Sequence, residues 1–161
     1  MLLKDILTID KNSINPLKFK NDYFFHFSLP AFDKGKHPDY EKGEKILSTK
    51  FKLNKPCILF NKLNVRFKRI WNLHSVENNY ICSSEFLPLF VKNINFLQDY
   101  IYYYLLSDKV NSLLMLDING TSASHQRIDT NTLLNIPIKH ISIQEQQHIV
   151  DIIPTHSLIS L

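Results

Sequence analysis

Glycine is nearly missing from this chain, with three residues in 161. Neither a GxGxxG nor a Walker pattern can be assembled from them, which excludes the common glycine-rich phosphate cradles. Cysteine is limited to Cys57 and Cys82, with no Cys-x-x-Cys pair, so a zinc ribbon is unsupported. Each cysteine sits in an apolar, β-like run (Pro56 to Phe60, Tyr80 to Cys82), the setting of a buried, reduced thiol. No apolar run approaches the roughly 20 residues of a membrane span. The stretch from Met1 to Asp10, interrupted by Lys4 and Asp5, lacks the long apolar core of a signal peptide. The expectation is a cytoplasmic protein with no membrane partner. Internal repeats and low-complexity segments are missing as well.

What is present is an ordinary globular composition, 44% hydrophobic and 21% charged, with aromatics at 12% and a net charge of +4. Strands are predicted in the first half, at Asp22–Leu29, Lys45–Leu53, Cys57–Phe60, Val65–Leu73 and Tyr80–Val91, the last interrupted at Pro88. In Val65–Leu73 the alternation puts Val65 and Phe67 on one face, where apolar residues can meet a core, and Arg66 and Lys68 on the other, where basic ones can form a positive surface. Ala31–Gly43, with two glycines and Pro38, reads as a polar loop. Helices dominate the second half. Asn95 suits an N-cap for a helix through Tyr100, Ile101, Tyr104 and Leu105, and Ser107 or Asp108 caps another running to about Leu116. Leu133–Ile138 reads as a short strand. Ser142 with Glu145 fits a capping box, opening a helix from Ile143 to about Ile153, where Pro154 blocks continuation. The fold class is α/β in the α+β sense: a strand-rich twisted sheet with helices packed to one side.

Charge is distributed unevenly. Between Lys45 and Val76 there are eight basic residues and no acidic one: Lys45, Lys50, Lys52, Lys55, Lys62, Arg66, Lys68 and Arg69. Such a surface can neutralise phosphates and release their counterions, although a solvated sheet face without a partner has the same composition. Gly120 to Ile128 gathers hydroxyls, an imidazole, an amide and a guanidinium, groups that bond phosphates or base edges but also populate ordinary polar loops. Catalytic patterns are poor. Ser124 and His125 are adjacent in sequence, whereas triad members converge from separate segments. The other histidines lack ligand spacing, so no metal is expected.

Four elements taken together carry a resemblance. Gly120 to Ile128, followed by Leu133-Leu134, Ile136-Pro137-Ile138 and Ile143-Gln144-Glu145-Gln146-Gln147-His148-Ile149-Val150, is similar to the end of a target-recognition domain in specificity subunits of type I restriction–modification enzymes. The run Pro56 to Leu63 looks like a strand of that family, and Tyr100 to Leu106 resembles its tyrosine-rich helix.

The resemblance implies a non-catalytic domain that reads one half of a bipartite sequence in double-stranded DNA. The modification subunit, which holds S-adenosylmethionine and methylates adenine, and the restriction subunit, which cleaves, would be its partners. The chain itself would need no cofactor. Residues 1–141 would form the recognition domain and 142–161 the start of a truncated spacer and dimerisation helix. A full specificity subunit has two such domains where this chain has one. A natural half-subunit that self-dimerises, a truncated gene product and an excised piece are all open, and so is docking to the modification subunit. Expected DNA contacts are Lys50, together with Lys62, Arg66, Lys68 and Arg69 on phosphates. Ser122, Ser124, His125, Gln126 and Arg127 form a second contact loop, in which Gln126 and Arg127 read bases. The alternatives are a recognition domain cut from a fused restriction–methyltransferase, and a protein-interaction module that binds modification or specificity subunits without reading sequence.

Overall fold

The structure is a computed structural model describing residues 1–116, 118 and 126–159, the side chains of 154–159 excepted. In chain order its elements are α1 (Leu3–Ile6), β1 (Leu7–Ile9), β2 (Ser13–Ile14), β3 (Tyr23–Phe27), α2 (Leu29–Gly35), β4 (Asp39–Lys42), β5 (Lys50–Lys52), β6 (Cys57–Asn61) and β7 (Ile70–Leu73). There follow β8 (Tyr80–Cys82), β9 (Phe86–Val91), α3 (Gln98–Leu105), α4 (Asp108–Met115), α5 (Thr130–Leu134) and α6 (Ile143–Ile159). The α+β class holds, and the strands divide between two sheets. One is antiparallel in the order β1-β9-β6-β7. The other runs β2-β5-β8-β3-β4, with β3 and β8 parallel.

The apolar runs explain the layering. Along β6, Ile58 and Phe60 join one core with Ile101, Leu105, Val110, Leu114 and Val150 from α3, α4 and α6. Their neighbours Cys57 and Leu59 point the other way, into a second core with Phe27 and Cys82 of the five-stranded sheet. The same alternation sends Leu87 and Leu89 of β9 to the helices and Phe86 and Phe90 to the second sheet. The four-stranded sheet is thus a middle layer buried on both faces, which is why β6 and β9 are apolar throughout instead of alternating. Both thiols lie in the second core. Burial pushes Cys57 up to about 12 and raises Cys82 as well, so neither forms a thiolate near neutral pH.

Several local expectations are corrected. Ala31–Gly43 is not a loop: Ser28 Oγ accepts from Ala31 N–H at 3.1 Å and Pro30 fits the first turn, so α2 forms before β4. Lys45–Leu53 is extended only at β5. Pro88 does not interrupt β9. Lys62 N–H donates to Glu85 O, and in this register the Pro88 nitrogen faces away from β6, beyond the end of β1 at Ile9. Asn95 does not cap α3, whose cap position is Leu97. Gln98 donates instead to Asn72 Oδ1 at 2.7 Å and Leu73 O at 3.0 Å. Leu133–Ile138 is not a strand: Asp129 accepts from Asn131 N–H at 2.7 Å and starts α5. Only Pro137 keeps a bridge, to Leu2. At α6, Ser142 Oγ accepts from Glu145 N–H at 3.1 Å as the motif predicts, but the helix continues past Pro154 to Ile159. Proline removes one amide donor, and the remaining ladder carries the helix across it.

Candidate nucleic-acid interface

The expected strand Val65–Leu73 breaks at its start. Val65–Phe67 is a single 3-10 turn between Asn64 and Lys68, both left-handed at φ 51°. Buried Asn61 closes the approach, its Oδ1 accepting from Leu63 N–H at 2.9 Å and its Nδ2 donating to Leu63 O at 2.5 Å. The turn reverses the face assignment for one residue. Val65 enters the core as predicted, whereas Phe67 stands 53% exposed. Alternation fixes faces only while the backbone stays extended.

This turn lies beside the second predicted contact segment. Asn64 N–H donates to Gln126 O at 2.8 Å, Ile128 N–H donates to Lys62 O at 3.0 Å, and Leu63 bridges Arg127. Lys62, Arg66, Gln126 and Arg127, separated by some sixty positions in sequence, therefore share one surface. Ser122, Ser124 and His125 lie outside the described residues.

The sequence-level excess of cations is partly offset in space. Lys68 Nζ meets Asp108 at 2.7 Å. Arg69 grips Asp33 through Nε at 2.9 Å and Nη2 at 3.1 Å. Arg127 makes a two-pronged contact with Glu85, at 3.1 and 2.7 Å, and holds that carboxyl below the usual range. Arg66 is exposed and has no carboxylate partner among the described residues.

Lys50 sits on β5 of the other sheet, apart from this turn. It lines a cavity of about 560 Å³ together with His26, Asp39, Glu41, Ser83 and Glu85. Glu85 thus connects the cavity to Arg127. Burial lowers the pKa of Lys50. Sequence reasoning missed Phe67, Asp33, Glu85 and His26. The cationic run Arg66 to Arg69 around Phe67 was the one available signal for the first.

His26 has a cost of its own. Its Nε2 is buried with no hydrogen-bond partner, and Glu41 approaches Nδ1 only to 3.7 Å. Burial foremost, then Lys50, lowers its pKa from 6.5 to about 4 against the opposing pull of Asp39. Between those values the unfolded chain binds a proton that the folded chain refuses. Stability therefore falls as pH drops from 6.5 to about 4 and is flat below in this contribution. The expected loss is about 3 kcal/mol relative to His26→Gln, read from urea unfolding of both proteins across that window. Parallel pH profiles for the two proteins would contradict it.

Among the described residues, no group of three or more His, Cys, Asp and Glu could hold a metal, and no helix is long and apolar enough to cross a membrane. Solved structures share the fold. The HsdS subunit from Thermoanaerobacter tengcongensis superposes with a TM-score of 0.79 at 17% identity, covering 96% of this chain and 40% of that one. A chain from a structure addressing complex assembly and conformational transition of the type I R-M system gives 0.78 at 16% identity, covering 99% and 42%. This chain thus spans about two fifths of the length of either. No curated protein is detectably similar in sequence. Residues 1–160 match the family described as the type I restriction modification DNA specificity domain. The chain belongs to that family.

Proposed function

We propose that this domain reads one half of a bipartite DNA target and directs adenine methylation and cleavage by partner subunits, without catalysis of its own. S-adenosylmethionine would bind only the modification subunit. The observation that carries the reading is the backbone pairing of residues 62–64 with 126–128, which gathers cations and an amide along one edge. Lys62 and Arg66 suit phosphate oxygens, with Lys50 at the neighbouring cavity. Gln126 and Arg127 have the donor geometry for purine edges, and Glu85 orients the Arg127 guanidinium.

Lys68 and Arg69 already have carboxylate partners, so phosphate must displace those partners before it gains either cation. The prediction is an ordering. Each free phosphate contact contributes about 0.9 to the slope of log affinity against log salt. Arg66→Ala lowers that slope by nearly this amount, and Lys68→Ala or Arg69→Ala lowers it less. Fluorescence anisotropy of a labelled mixed-sequence duplex over a salt series measures all three. Unchanged affinity and slope in both Arg66→Ala and Arg127→Ala would remove these residues from the interface.

The internal neutralisation of Lys68, Arg69 and Arg127 also favours a second reading, a module that binds modification or specificity subunits without reading sequence. Tight subunit binding with weak, sequence-independent DNA binding would select it.

A further inference from the structure

Phe67 is an aromatic ring that the fold has turned outward. It is 53% exposed, while Val65, two positions earlier on the same turn, is 4% exposed in the core beneath. The ring has company of one kind. The Arg66 guanidinium lies 4.9 Å from its centroid and that of Arg69 5.0 Å. Among the described residues no other ring has two cations over it.

The mount is stiff. Phe67 N–H donates to Asn64 O at 3.1 Å and Lys68 N–H to Val65 O at 3.0 Å, closing the turn between its two left-handed residues. Arg69 is tied to Asp33 and Lys68 to Asp108, and the pairing with 126–128 supports the other flank. A side chain held this way reaches its partner with little ordering left to do.

An exposed, pre-positioned apolar ring flanked by guanidiniums is complementary to a stacked, polyanionic surface. We infer that Phe67 is a wedge that enters between adjacent base pairs of the bound DNA, with Arg66 on a phosphate flanking the opened step and Arg69, held by Asp33, bracing the ring. The inference rests on the DNA-binding reading above and goes beyond it, since phosphate contacts alone leave the base stack intact. It also gives Phe67 a share in specificity. A wedge favours steps that unstack easily, such as pyrimidine–purine steps, without a hydrogen bond to any base.

Insertion between base pairs unwinds the helix, which a closed-circular plasmid records. The chain is incubated with relaxed plasmid and topoisomerase I, the protein is removed, and topoisomers are separated on a gel. Anisotropy on a labelled mixed-sequence duplex measures binding in parallel. Wild type lowers the linking number in proportion to bound protein. Phe67→Ala binds but loses the shift, and Phe67→Trp, which keeps a flat apolar ring, restores it. The exposed position leaves the core untouched, and circular dichroism of each variant verifies folding. Binding by wild type with no linking-number change, or an equal change with Phe67→Ala, overturns the wedge and leaves the DNA-binding reading standing. Failure of wild type to bind plasmid and duplex alike overturns both.

Discussion

Gln146→Leu should cost about 3 kcal/mol in urea unfolding and loosen α6 from the body of the domain. Gln146 is 0% exposed, an unusual position for an amide. Its place is made by three hydrogen bonds. Oε1 accepts from Leu97 N–H at 2.8 Å, and Nε2 donates to Asn95 O at 2.8 Å and Ile141 O at 3.0 Å. The segment leading into α3 is thereby fastened to α6 through one side chain. Leucine fills similar volume but leaves an amide and two carbonyls without partners, and each such group costs roughly 1–3 kcal/mol when water cannot reach it. Val150 and Ile149 hold part of the apolar contact, so the damage stays local. Hydrogen exchange should show this as faster exchange at Leu97 and along the first turns of α6, with β6 and β9 still protected. Gln146→Glu keeps the acceptor and loses both donors, so it should not rescue. A cost below about 1 kcal/mol would mean that water replaces the side chain at this joint.

Gly43→Ala should destabilise by about 3 kcal/mol, at the upper end for an added methyl group. A Cβ at Gly43 would lie 2.3 Å from Phe19 O and 2.5 Å from Pro16 O, both backbone atoms that no rotamer change can move. The surroundings are closed by hydrogen bonds from Gly43 N–H to Asp22 O at 2.8 Å and Ile46 N–H to Gly43 O at 3.1 Å. Relief would have to come from shifting the whole 16–22 segment away from the end of β4. Gly35 supplies the control. A Cβ there meets only the His37 ring, at 4.0 Å, at the end of α2. Gly35→Ala should therefore be neutral or stabilising by about 0.5 kcal/mol, through helix propensity and a less flexible unfolded chain. Thermal and urea unfolding of both variants read the contrast. Equal effects at the two glycines would refute the steric argument.

Elements whose signal is local were legible in the sequence. Cys57 to Phe60 forms a strand because a short apolar run with β-branched and aromatic members can only be buried. Ser107 and Ser142 start helices because their hydroxyls satisfy free amides three residues on. The cationic stretch and the Gln126–Arg127 segment were legible as candidates, though not as neighbours. Their union depends on backbone pairing across some sixty positions, which no local pattern encodes. Asp33 and Asp108, which neutralise Arg69 and Lys68, likewise come from distant elements, so a stretch without acids in sequence is not without acids in space. Phe67 leaves the face that alternation shares between it and Val65 because Asn64 and Lys68, which flank the turn, are non-glycine residues in a left-handed conformation that sequence rarely announces. The α2 start at Ser28–Pro30 was readable and was masked by the glycines and proline that follow.

The pairing of β1 with β9 sets how this chain must fold during synthesis. Leu7 lies opposite Val91 and Ile9 opposite Leu89, so the first strand of the middle sheet waits for the last. The strands made in between mostly belong to the other sheet, and β6 too finds its long partner only in β9. Until the ribosome has released Phe86 to Val91, β6 lacks its partner along one edge and β1 has none at all. Such non-local closure is slow and exposes aggregation-prone strands. Yield on expression should therefore respond more to changes that slow the docking of β9 than to equally destabilising changes in α4 or α6, and trigger factor or a lower growth temperature should recover the former preferentially.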